Sequence, residues 1–393
     1  MKVAFVLPRY GPTVVGGAET AARALAEGLA NRSGWDVEVL TGRAEDFVTW
    51  AEVFPGGVET INGVTVRRFD SVAGRKPEFH PFSASLLADS RHASLEDAEH
   101  WIDLQGPVVP EVTEAAIESD ADAVVFFPYL YYPTVRAIER VRAATLLHPA
   151  AHDEPALYLP VFPPVFESAT GLVFQTTAER DLVQRTFPVA THHQILLGLG
   201  VDDPDPLDFD RSRSGPPYLL CLGRVEDRKG SSLLCSLFSA YKVLRPGPLR
   251  LVFAGPVVEA LPDHPEIDVL GPVSEEEKWS LLSGATALVS PSAWEAFSLV
   301  IIEAWSARTP VLVNGACAAT VEHCRRSAAG MSFSNFGEFA AVVDRLVDDP
   351  RAAALLGERG RSYVDRWFRW PKIVDRYATF IEATVAAYVP SDA

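Results

Sequence analysis

The chain is 393 residues long, 48% hydrophobic and strongly acidic, with a net charge of -17 and a pI near 5.0, which suffices for two domains whose cores need no staples. Without a Lys/Arg run or a long apolar run, that balance excludes nucleic acid, an anionic membrane surface and an integral membrane segment as partners or parts of the molecule. The four cysteines, Cys221, Cys235, Cys317 and Cys324, show no Cys-x-x-Cys spacing, so they read as reduced thiols of a cytoplasmic protein in which no metal site is implied.

The opening MKVAFVLPRYG is a strand entering a turn, too short and wrongly flanked for a signal peptide. RYGPTVVGG follows as a Gly/Pro-rich turn, then AETAARALAEGLANRS as an Ala-rich helix, together a β-loop-α unit. The pair Gly16-Gly17 lets backbone approach a phosphate, and the helix behind it aims its free amides the same way; a plain tight turn is the alternative. G-x-G-x-x-G is absent, so a dinucleotide reading loses its main support. DVEVLT and GVTVRRFD read as the next strands. The stretch from Ser71 to Asp120 is long and mixed, and its HPFSASL and EHWIDLQGPVVP parts read as an acceptor-facing insertion.

ADAVVFFP is a buried strand that delivers Tyr129, Tyr131 and Tyr132 to its C-terminal end, where ligands bind in open α/β sheets. They form either a sugar-binding rim or packing. ATLLHPAAHDEPAL is another strand running into a turn with His148, His152, Asp153 and Glu154; His148 reads equally as a core histidine, and the two histidines with Asp153 as a metal set. GLVFQT, TAERDLVQRTF and HHQILLGLGV complete the first half. VDDPDPLDFDRSRSGPP is an exposed linker, in which the acidic turn Asp203-Pro204-Asp205 is a poor scaffold for metal ligands.

Alternation restarts at YLLCLGR, whose strand ends in GRVEDRKG and brings Arg224 and Lys229 to its C-terminal edge. A guanidinium fork and an ammonium there suit a diphosphate. LRLVFAG and IDVLGPV are the next strands, SEEEKWSLLSGA a helix opened by a capping box from Ser274 to Glu277, and TALVSPS a strand. EAFSLVIIEAW then gives a loop carrying Glu295 and a helix whose free amides start near Ser298 and which carries Glu303. If helical throughout, the two carboxylates would lie ~12 Å apart, beyond the roughly 5 to 9.5 Å of a glycosidase pair and suited to one elongated ligand. After PVLVNG the chain closes in helices.

Glu295-x7-Glu303 resembles the motif of retaining glycosyltransferases of the GT-B fold, family 4 type, known as glycosyl transferases group 1. The GGAE after the first strand, the AHDEP loop, and G-R-x4-K-G resemble further parts of that family. The resemblance implies an α/β fold of two Rossmann-like doubly wound domains facing a central cleft. An acceptor-side domain would span 1–200, a nucleotide-sugar domain 201–369, and a helix over 370–393 would cross back to the first. It implies donor-sugar contacts at Glu295, ribose contacts at Glu303, and a diphosphate clamp at Arg224 and Lys229. His152 would lie near the reaction centre, and further donor contacts would come from Gly16, Gly17, Val273, Phe297, Ser298 and Leu299. The family pattern is E-G-F-G, where this chain has Glu295, Ala296, Phe297 and Ser298, a change expected to reshape the sugar pocket. The expected activity is metal-independent, retaining transfer from a nucleoside diphosphate sugar, a co-substrate rather than a cofactor, to a small-molecule or glycan acceptor. A sugar-nucleotide epimerase, a pseudo-glycosyltransferase and a non-catalytic sugar-binding protein are the alternatives.

Overall fold

The computed structural model describes residues 1–14, 16–203 and 215–389; Asp205 lies outside them. The chain divides into two compact units, Met1–Gly198 with Trp370–Ala393, and Leu199–Arg369. Among the described residues no helix is long and apolar enough to cross a membrane.

The first unit is built on strands β1 (Lys2–Leu7), β2 (Asp36–Thr41), β3 (Gly57–Ile61), β4 (Val64–Arg68), β5 (Ala123–Phe126), β6 (Ala144–Leu147), β7 (Gly171–Phe174) and β8 (His193–Leu196). They form one sheet in the order β3-β4-β2-β1-β5-β6-β7-β8. All neighbours are parallel except β3 and β4, as continuous Val/Leu/Phe runs buried on both faces require. The strand order reverses between β1 and β5, which opens a crevice at their C-terminal ends.

Two features go beyond what the sequence shows. GVETI forms β3, a hairpin partner to β4 through Asn62-Gly63, both at positive φ; an Asn-Gly turn is a strong hairpin signal, but the strand is almost wholly exposed and carries no apolar alternation. The Ser71–Asp120 stretch, mixed in sequence, is largely helical, with helices Phe79–Leu87, Leu95–Gln105 and Pro110–Ile117. Phe79, Trp101, Ile102, Val109 and Val112 join Val6 and Phe126 in one core. The Trp370–Ala387 helix buries Ile373, Val374, Tyr377 and Ile381 in this unit and packs on the Gly17–Ala30 helix, where a side chain on Gly28 would collide with Val374.

The second unit carries β9 (Tyr218–Leu222), β10 (Arg250–Ala254), β11 (Ile267–Val269), β12 (Ala287–Ser290), β13 (Val311–Asn314) and β14 (Gly330–Phe333), all parallel in the order β11-β10-β9-β12-β13-β14. The chain does not close in helices alone after β13. The Ala318–Ser327 helix leads to β14, whose four residues are too few to show a period. Here the strand order reverses between β9 and β12, so the loops that follow these two strands flank the crevice.

Candidate active site

In the second unit, β9 ends at Leu222 and the chain turns through Gly223-Arg224 into a short 3-10 turn, Asp227–Lys229. Gly230 then adopts φ 80°, and a Cβ there would stand 2.6 Å from the Pro291 carbonyl oxygen, so only glycine lets this loop lie against the turn after β12. That contact places Lys229 beside the β12 loop: its Nζ donates to Glu295 Oε1 at 2.7 Å. Arg224 reaches Glu226 at 3.2 Å. At the switch point the structure thus joins Lys229 and Glu295, two of the residues singled out in the sequence, across adjacent strand ends.

Glu303 is paired as well. It sits in the Leu299–Ser306 helix and accepts from Lys278 Nζ at 2.8 Å. Lys278 belongs to the Glu275–Gly284 helix, whose capping box is present as expected, with Ser274 accepting from the Glu277 amide and Glu277 from the Ser274 amide. Burial disfavours the Lys278 charge, but Glu303 and Glu275 outweigh it and raise its pKa. Nothing local in SEEEKW marked this lysine, because its partner lies 25 residues on. Val273 is in the turn leading to that helix, after Gly271 at φ 74°.

Ser298 caps the Leu299–Ser306 helix in the left-handed region, at φ 73°. It stands where the resembled pattern has glycine, so the loop keeps a glycine-like backbone at a cost of roughly 1–2 kcal/mol. Leu299 follows as the first helical residue. Phe297 is buried, its ring centroid 4.7 Å from that of His323 and 5.4 Å from that of Phe368; any ligand contact from this position comes from backbone.

The first unit holds the remaining residues along the C-terminal edge of its sheet. Gly16 and Gly17 follow β1, and Gly16 packs so closely on Glu19 that a Cβ would overlap its carboxylate. His148 is core: buried, stacked on Phe127 at 3.9 Å, its Nε2 2.9 Å from the Tyr377 hydroxyl, and burial holds its pKa well below the usual histidine range. Tyr129 is core too, edge-on to Phe162 at 4.7 Å. His152 is only partly buried and lies 3.4 Å from Glu154.

Beneath the His152 loop is a residue the sequence did not announce. Glu179, 2% exposed, accepts from the Ala151 amide at 2.9 Å and the Gln175 amide at 2.7 Å, tying the ends of β6 and β7 together. Burial outweighs these amides and pushes its pKa up to about 7. Since the folded value lies above the unfolded one, the stabilisation is complete below pH 4.5 and is lost as pH rises through about 7,. The loss amounts to roughly 3 kcal/mol at most. Urea midpoints of the wild type should therefore fall between pH 5 and 8 relative to those of Glu179→Gln, which stays neutral. Parallel profiles for the two proteins would show that Glu179 does not titrate there.

Comparison with known proteins agrees with this fold. Residues 207–363 match the family described as glycosyl transferases group 1. An MMP alpha-(1->4)-mannosyltransferase of Mycolicibacterium hassiacum is 29% identical over 167 residues, 40% of this chain and 41% of that relative, so this match spans well under half of either protein. A glycogen synthase of Mycobacterium tuberculosis is 24% identical over 398 residues, 95% of this chain and 92% of its own length. Among solved structures, sucrose-phosphate synthase from Thermosynechococcus elongatus superposes with a TM-score of 0.71 at 18% identity, covering 98% of this chain and all of that one. The fold is GT-B.

Proposed function

We propose that this chain, a glycosyltransferase of the group 1 type, moves a sugar from a nucleoside diphosphate donor to an acceptor hydroxyl with retention of configuration and without a metal ion. The carrying observation is the Lys229–Glu295 pair at the switch point of the second unit. Both side chains are partly exposed, at 32% and 19%, and such a pair stabilises the fold by only about 0–1 kcal/mol. A charged hydrogen bond to a ligand contributes roughly 1.5–3 kcal/mol. The pair is thus weak enough for a donor to re-pair it: sugar hydroxyls to Glu295, the diphosphate to Lys229.

In this reading Arg224 and Lys229 stabilise the charge that grows on the leaving diphosphate, aided by the amides at the start of the Leu299–Ser306 helix. Glu303, held by Lys278, grips the ribose. The Gly16-Gly17 turn is assigned to the donor phosphates, the backbone at Val273 to the nucleobase, and Phe297, Ser298 and Leu299 to donor contacts through main-chain groups. His152 orients the sugar.

An inverting enzyme needs a base opposite the leaving group, and double displacement needs a carboxylate nucleophile at the anomeric carbon. Glu295 and Glu303 are occupied with donor hydroxyls, and Asp153 accepts from the Tyr158 hydroxyl at 2.7 Å. The remaining route is substitution on one face. The bond from the anomeric carbon to the phosphate oxygen breaks, the bond to the acceptor oxygen forms, and the acceptor proton passes to the departing phosphate oxygen.

The test incubates the protein with UDP-, GDP- and ADP-sugars, with and without EDTA, and follows melting temperature, donor consumption by mass spectrometry and product anomers by proton NMR. One donor should raise the melting temperature by mass action and react equally in chelator. Its product should keep the donor's anomeric configuration. An inverted product, or activity lost in EDTA and restored by manganese, would overturn the mechanism.

A further inference from the structure

The loops after β1, β2, β4 and β5 in the first unit build a second constellation. Arg9, after β1, is ion-paired with Glu19 beside the Gly16-Gly17 turn, donates to the Glu45 carbonyl at 2.8 Å and lies over the Trp50 ring at 5.8 Å. Trp50, after β2, stands edge-on to Tyr131, after β5, at 5.3 Å, and its Nε1 donates to the Gln105 carbonyl at 2.9 Å. Arg75, beyond β4, donates from Nε to that same carbonyl at 3.3 Å and lies over the Phe79 ring at 4.8 Å.

The two arginines differ in how they are neutralised. Arg9 has Glu19, whereas Arg75 forms no ion pair with any described residue, and its two terminal nitrogens have no hydrogen-bond partner there. Among the described residues its fixed contacts are a neutral carbonyl and an aromatic face, and Asp46 acts on it through its charge without forming an ion pair. A half-buried cation without an ion pair is costly. The Tyr131 hydroxyl likewise has no hydrogen-bond partner among the described residues. Burial, the main influence on both groups, lowers the Arg75 pKa and raises that of Tyr131 to about 12, and each also feels the other's charge. A guanidinium fork and a phenol facing the C-terminal edge of a parallel sheet make a receptor for an oxyanion.

We propose that Arg75, with the Tyr131 hydroxyl, binds an anionic oxygen group, phosphate or carboxylate, on the acceptor substrate. This rests on the transferase reading above and adds the acceptor's chemical class. Arg75 is a binding residue that selects charged acceptors over neutral ones of the same shape. The Gln105 carbonyl keeps its bond from Trp50 if Arg75 is truncated, so Arg75→Ala orphans no buried acceptor.

Two measurements on the full chain test it. In the first, wild type, Arg75→Ala and Arg75→Lys are titrated calorimetrically with inorganic phosphate and, separately, with acetate, without donor. The Arg224 and Lys229 cations are common to all three proteins, so differences report Arg75. One anion should bind wild type about tenfold or more tighter than Arg75→Ala, with Arg75→Lys between, because lysine keeps the charge but loses the fork. The favoured anion tells phosphate from carboxylate. Identical isotherms would overturn the proposal whether or not the protein turns over a donor.

The second measurement compares kcat/KM for sugar phosphates and sugar acids with that for their neutral parents. Wild type should favour the charged member by roughly tenfold or more, and Arg75→Ala should reduce that preference to about threefold or less. A preference for neutral acceptors, or one that survives Arg75→Ala, would overturn the anion site and leave sugar transfer standing. Absence of turnover with every acceptor would count against transfer, and the calorimetry would then decide the anion site alone.

Discussion

Lys229→Ala is expected to lower kcat/KM on the correct donor by roughly 100-fold or more, the usual cost of removing one preorganised group from charge that develops in the transition state. The same substitution should scarcely change stability. Its ion pair with Glu295 is partly exposed at both ends, and such a pair contributes about 0–1 kcal/mol. A large kinetic loss with a small stability loss is the signature of a group held ready for a ligand. Lys229→Arg should recover part of the activity, since it restores charge at this strand end with a different reach. Arg224→Ala should follow the same pattern, its guanidinium lying 3.2 Å from Glu226. If Lys229→Ala stayed within about threefold of wild type in kcat/KM, the diphosphate would lie elsewhere.

What could be read in the chain beforehand follows from how local each signal is. Buried parallel strands announce themselves as short Val/Leu/Phe runs, and the segment from Ala287 to Ser306 lays strand, loop and helix in one line, so the places of Glu295 in the loop, Ser298 at the cap and Glu303 in the helix are legible without coordinates. β3 was not, since it pairs through a turn and has almost no buried face, and β14 is only four residues long. The helices between Phe79 and Ile117 were hidden because short elements bounded by prolines carry weak periodicity.

The charge partners were hidden for a different reason. Lys229 meets Glu295 across 66 residues, Lys278 meets Glu303 across 25, and Glu179 reaches back 28 residues to the Ala151 amide. Each is created by neighbouring elements of one sheet or layer, and no spacing rule along the chain encodes it. Arg75 is harder still to find, being conspicuous only through the ion pair it lacks among the described residues. Phe297 shows the converse: its place in a binding motif suggested a ligand contact, and burial against His323 and Phe368 leaves only its backbone for that.

The two glutamates should separate kinetically. Glu303, in the second turn of its helix, is fixed by Lys278, which Glu275 also holds; a ribose bound there stays put while the anomeric centre reacts, so its contact is equally strong in ground and transition states. Glu303→Ala should raise donor KM by about tenfold and leave kcat within about threefold. Lys278→Ala should show a weaker form of the same change, because it loosens the carboxylate without removing it. In the proposed site Glu295 would lie at the sugar, beside the cation that would follow the leaving group, and its hydrogen bonds would tighten as the sugar ring flattens. Glu295→Ala should therefore lower kcat by roughly 100-fold with little change in KM. It also leaves Lys229 unpaired in the free protein, which strengthens the attraction for the diphosphate and works against any rise in KM. Steady-state kinetics with varied donor at saturating acceptor reads both signatures. If Glu295→Ala changed only KM and Glu303→Ala only kcat, the donor would lie in the opposite direction along this crevice, with its sugar toward Lys278 and its base toward Arg224.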